Sequence, residues 1–141
     1  TSAVLRLYDG GADYTNNTRT MYVNRMKRAW TEAGVTWNKY DGTNDWTTAG
    51  GMTNSADCEV SPSIGSISMP NPPVSGYVEI TLDTTSVQEW IDGTFTNNGI
   101  GLSMGTESDD MHEFNSKEAA NKPELVIVYP DDPSGFFALL M

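Results

Sequence analysis

The chain has 141 residues, enough for one domain with a real core and too few for two. Apolar residues make up 38% and charged ones only 19%, while Thr, Ser and Asn are abundant; this is a profile of short strands joined by polar turns, so the expected class is all-β. Eight basic against nineteen acidic side chains leave a net charge of −11, which repels phosphate backbones and anionic lipid and argues against nucleic acid and membrane as partners.

Ser2 to Tyr8 alternates as a strand, with Ala3, Leu5 and Leu7 on one face and Val4, Arg6 and Tyr8 on the other. Asp9 to Asn17 is a Gly/Asn-rich loop, and Asn16-Asn17-Thr18 is a glycosylation sequon that makes Asn16 the candidate acceptor. Thr20 to Lys27 reads as a second strand, Met21 and Val23 facing in, Tyr22 and Asn24 facing out. From Arg28 to Asn38 two tryptophans, Trp30 and Trp37, bracket Gly34, Val35 and Thr36; the pattern predicts a loop folded back on a sheet, with both rings in the core.

From Lys39 to Pro73 no period is sustained and Gly, Ser, Asn and Pro dominate. A compact domain rarely leaves such a stretch structureless, so Trp46, Met52 and Ile64 are expected to pin it to the body. Gly76 to Leu82 is the clearest strand, with Val78, Ile80 and Leu82 on its apolar face. Asp83 or Thr84 then caps a short helix over 84–92, in which Val87, Trp90 and Ile91 fall on one side before Gly93. Thr96-Asn97-Asn98-Gly99 turns the chain into a strand carrying Ile100, Leu102 and Met104.

A polar loop, a short strand near Met111 to Asn115, and a last, apolar and therefore central strand from Leu125 to Tyr129 complete the domain. The expected organisation is a β-sandwich over 1–129, a Pro-bounded linker over 130–135 and an apolar tail over 136–141. The lone Cys58 allows no intrachain disulfide and is expected to be a small buried apolar group. No run approaches the roughly 18 apolar residues of a membrane span, and the start at Thr1 carries no signal-peptide pattern, as in a processed or excised chain.

Several separated pieces together resemble the DNRLRE domain, the disaggregatase-related module also classed among carbohydrate-binding modules. They are Trp30-Thr31-Glu32, Val35-Thr36-Trp37-Asn38, Gly50-Gly51, Val87-Gln88-Glu89-Trp90, Asn97-Asn98-Gly99, Phe114-Asn115-Ser116 and Pro123-Glu124-Leu125, in that order. The resemblance covers about residues 2 to 129 and implies a jelly-roll-like antiparallel sandwich, non-catalytic, in secreted or cell-surface proteins. It hands over no set of binding residues. Family members usually carry further strands ahead of the position of Ser2, and these are absent here.

A sandwich without its opening strands exposes an apolar groove and unpaired backbone groups. Phe136, Phe137, Leu139 and Leu140 of the tail have the composition of a strand donated to a neighbouring copy, and head-to-tail donation propagates into filaments unless it closes into rings. The competing reading makes the tail the start of another domain. A second function is glycan binding, for which Tyr40 and Trp46 offer flat ring faces, unless they merely anchor their loop.

Calcium is the one cofactor considered, at Glu107, Asp109 and Asp110 or at Asp41 with Asp45; neither set follows an EF-hand spacing, so no metal and no cofactor is expected. His112 beside Glu113 has no nucleophile motif to serve, and the chain is read as not an enzyme. The expectation is an extracellular structural or adhesive module whose partners are copies of itself, with carbohydrate binding within a larger protein as the alternative.

Overall fold

A computed structural model describes residues 1–11, 18–69, 75–105 and 112–129. The elements among them are, in chain order, β1 Ser2–Asp9, β2 Thr20–Arg25, β3 Gly65–Ser68, β4 Gly76–Thr81, α1 Thr84–Ile91, β5 Ile100–Met104 and β6 Glu124–Val128. They form two antiparallel sheets, ordered β4-β1-β6 and β3-β2-β5, stacked as a sandwich.

β1 lies at the centre of the first sheet, and its strict alternation sets which face enters the core. Ala3, Leu5 and Leu7 are buried, and their register partners Ile80, Val78 and Ile127 are buried with them. On the opposite face Arg6 lies between its partners from both neighbouring strands, Glu79 at 3.0 Å and Glu124 at 2.5 Å, with its guanidinium over the Tyr77 ring. Met21 and Val23 of the second sheet join Leu5, Ile64 and Ile80 in one core. Each such side chain contributes roughly 1.5–3 kcal/mol when withdrawn from water.

The helix is set by local chemistry. Asp83 caps it, its carboxylate accepting from the Ser86 amide at 2.8 Å and hydroxyl at 2.7 Å. Val87 is buried and Trp90 packs against the core from one end, as the periodicity requires.

Six expectations need correction. The second strand ends at Arg25 rather than Lys27, and the first runs one residue further than expected, to Asp9. Of the strand expected near Met111 to Asn115, the described residues 112–115 make one isolated bridge, Asp9 with Phe114, and no strand. Among the described residues the last strand, β6, lies at the edge of its sheet and not at its centre, because apolar content does not count neighbours. The excursion contains a strand, β3, that its composition Gly-Ser-Ile-Ser conceals. Trp30 and Trp37 are not core: they are 37% and 64% exposed.

Candidate functional site

The two long edges of the sandwich differ. On one side the sheets meet: Gly65 bridges Leu82, and the Asp83 amide donates to the Ile64 carbonyl at 2.6 Å. A Cβ on Gly65 would stand 2.8 Å from the Thr81 carbonyl oxygen, so the closeness of that junction requires glycine.

On the other side β5 and β6 are not paired with one another, and among the described residues neither has a second neighbour in its sheet. The gap is an apolar cleft of about 420 Å³, lined by Val87, Trp90 and Ile91 of the helix, Asn97, Gly99 and Ile100 leading into β5, and Leu125 and Ile127 of β6. Trp90 is one of the lining residues, and its indole Nε1–H is buried with no acceptor among the described residues. An unpaired buried donor is costly, and most such groups in folded proteins find a partner.

The excursion folds over the outer face of the second sheet and builds a smaller core from Met26, Trp46 and Cys58, flanked by Tyr40 and Met52. Asn24 faces outward, as its position in β2 predicts, but is buried beneath this cover and donates to the Glu59 carbonyl at 2.7 Å. Trp46 is 7% exposed; its ring packs 5.6 Å from that of Tyr40 and its Nε1–H donates to the Thr36 carbonyl. Gly51, at φ +69°, leaves room for the Trp46 ring, which a Cβ would meet at 2.8 Å. Cys58 is fully buried, and desolvation pushes its thiol above the usual range.

Asp57 locks the base of this cover. It accepts from Arg28, from the Thr47 amide at 2.7 Å and from the Thr47 hydroxyl at 3.1 Å, while its carbonyl accepts from the amides of Lys27 and Arg28. Burial alone would raise its pKa, but these donors outweigh it and hold the carboxyl below its ordinary value. Arg25 plays the matching role on the inner side, bound by Glu59 at 2.7 Å and Glu89 at 2.6 Å, with Phe95 under its guanidinium.

A second concavity, of about 250 Å³, lies beside the exposed Tyr22, with Asn24, Ser61, Ser63 and Ser103 around it. It combines one aromatic face with hydroxyl and amide groups. Trp37 stands exposed on the cover, against Gly50.

Of the residues expected from sequence to act, Tyr40 and Trp46 are brought together, but as packing partners with Arg28 over the Tyr40 ring. Asp41 is used by its own turn, accepting from Thr43 and Asn44, and Asp45 pairs with Lys39 at 2.9 Å. His112 Nδ1 lies 2.8 Å from the fully buried Asp9, whose other oxygen accepts from the Gly11 amide. Asn16, the acidic set Glu107, Asp109 and Asp110, and the tail residues Phe136, Phe137, Leu139 and Leu140 lie outside the described residues.

Sequence reasoning missed Arg25, Asp57 and the Tyr22 concavity. Arg25 had a signal: it continues the inward phase of Met21 and Val23, and a cation on a core face demands carboxylates nearby. No curated protein and no solved structure matches the chain. The profile of the disaggregatase-related repeat domain matches residues 1–127, across both sheets, the helix and the covering excursion, and the chain therefore belongs to the disaggregatase-related repeat family.

Proposed function

We propose that this repeat domain is a non-catalytic, extracellular structural or adhesive module that joins copies of itself head to tail, residues 136–141 of one copy entering the cleft of the next. The observation that carries the reading is the cleft itself, an apolar gap between two strands that are edges among the described residues, in a chain whose sequence also holds six consecutive apolar residues at 136–141. Strand addition suits such a gap, since backbone groups complete a sheet while alternate side chains fill the pocket. Phe136, Phe137, Leu139 and Leu140 are the anchors, and the contact propagates into filaments or closes into rings.

The reading as a non-enzyme, without metal or cofactor, is supported by how the described acids are used. Asp9, Asp41, Asp57, Asp83, Glu59 and Glu89 each hold a hydrogen bond or ion pair that builds the fold. Negative-stain electron microscopy of the chain, dilute and concentrated, beside a version ending at Ser134 tests the assembly. Filaments or rings in the concentrated full chain alone support it; single particles in every sample refute it.

Glycan binding is the second reading, and the Tyr22 concavity favours it over Tyr40 and Trp46, whose rings are covered. Glycan binding lost in Tyr22→Ala, by a chain that stays monomeric, would put this reading first.

A further inference from the structure

We infer that a second copy of this domain docks on the tryptophan-bearing face of the cover, the Trp37 ring of each copy entering an apolar pocket of the other. The contact lies apart from the β5/β6 cleft and does not rest on the function proposed above.

The pocket, of about 250 Å³, lies between the cover and β5. It is lined by the buried Met26 and Trp46, by Met52, and by the exposed Trp30, Val35 and Leu102. No charged, hydroxyl or amide side chain is among its lining residues. Both of its indole N–H groups already donate to backbone carbonyls, Trp30 to Asn98 and Trp46 to Thr36, which leaves no side-chain hydrogen bond for a sugar. Trp37 stands beside the pocket with its ring against Gly50, itself a lining residue. It is the most exposed large apolar side chain among the described residues. Trp30, Val35, Trp37 and Leu102 are four of the eight such side chains, so exposed apolar surface is gathered here rather than scattered.

Size, symmetry and charge point to a second copy as the occupant. The volume falls below the roughly 300–1,000 Å³ of a small-molecule site and suits one inserted side chain. Ring and pocket are neighbours on one face, so a two-fold axis between copies sets each ring over the other's pocket, a self-complementary contact that closes at two. A chain of net charge −11 repels its copies, but the charged residues within two positions of Trp30 or Trp37 are neutralised. Arg28 pairs with Asp57, Glu32 with Lys117 and Lys39 with Asp45. The chain also belongs to a family of repeat domains, for which another copy of the same fold is a partner at hand.

The contact is small. Two indoles of at most roughly 150–250 Å² each, with Val35 and Leu102 beside them, fall short of the roughly 1,200–2,000 Å² of a stable complex. A dissociation constant on the order of 100 μM follows.

The test is 19F NMR of the full chain carrying 5-fluorotryptophan, beside sedimentation velocity, from about 10 μM to about 1 mM. The four tryptophans give four resonances, those of Trp30 and Trp37 assigned by their loss in Trp30→Phe and Trp37→Phe. The Trp37 and Trp30 resonances should move with protein concentration, and the association should tighten with salt as repulsion is screened. Trp37→Ala and Val35→Lys, their folds checked by circular dichroism, should each weaken it at least about ten-fold. Val35→Lys also reduces the net negative charge, so a loss there cannot come from added repulsion. A Trp37 resonance that stays fixed up to about 1 mM overturns the inference. Movement of the Trp90 resonance alone also overturns it, and favours contact through the cleft instead. A Trp37 resonance that answers to added glycan but not to protein concentration overturns it in favour of a sugar platform.

Discussion

The edge where β3 meets β4 and the edge where β5 faces β6 are built from the same materials, yet one is sealed and the other gapes. At the sealed edge, Gly65 lets two backbones touch and Ile64 and Leu82 close the core behind them. At the open edge, Ile91 is 44% exposed and the Trp90 donor is unsatisfied. Exposed apolar surface beside free strand edges is a liability that proteins ordinarily cover, and this is the reason the proposed function seats residues 136–141 there.

The contrast is sharpest between two isoleucines. Ile80, wholly buried in β4, should cost about 2–5 kcal/mol when cut to alanine, read from urea unfolding. Below that comes Asp57→Asn, which removes charge from a buried carboxylate serving Arg28 and Thr47 and should cost about 1.5–3 kcal/mol.

Acid should show why. The folded-state pKa of Asp57 is depressed below an unfolded value of about 3.9, so its contribution is complete above that pH and is lost as pH falls through the folded value. The gap in stability between the wild type and Asp57→Asn should accordingly narrow in acid, followed by circular dichroism. A gap that stays constant would remove Asp57 as its source.

Gly65→Val tests the sealed edge, where the new side chain meets the Thr81 carbonyl and Leu82. Overpacking there should cost about 1–3 kcal/mol and lower the thermal midpoint. Smallest is Ile91→Ala at the open edge. In the chain ending at Ser134 it should cost on the order of 0.5 kcal/mol, yet in the full chain it should also reduce the tail-dependent gain in stability. An equal effect in both chains would detach Ile91 from tail binding.

What the sequence made legible was local. Alternation placed Ala3, Leu5, Leu7, Val78 and Ile80 on the core face, and a cap at Asp83 or Thr84, with Val87 on the apolar side of the helix, was readable because cap and period are short-range features; the structure selects Asp83. The exposure of Trp30 and Trp37 was not. Trp46 pins the excursion as expected, but where the other two rings stand depends on how residues 27–60 lie over the second sheet, a long-range arrangement that no window of sequence encodes.

The same limit hid β3, in which only Ile67 has strand propensity and which is held by pairing to β2, and it misplaced β6, whose apolar run says nothing of how many neighbours it has. The cleft followed from that misplacement: a central strand would have had no free edge to offer. Asp57 was likewise invisible, since its partners Arg28 and Thr47 lie 29 and 10 residues away.

The most direct measurement is amide hydrogen exchange across both edges, in the full chain and in the chain ending at Ser134. If residues 136–141 complete the open edge, removing them should strip protection from part of residues 124–128 while residues 76–81 at the sealed edge keep theirs. Equal protection of β6 in both chains would contradict the account, for it would mean that nothing in the tail lies on that edge.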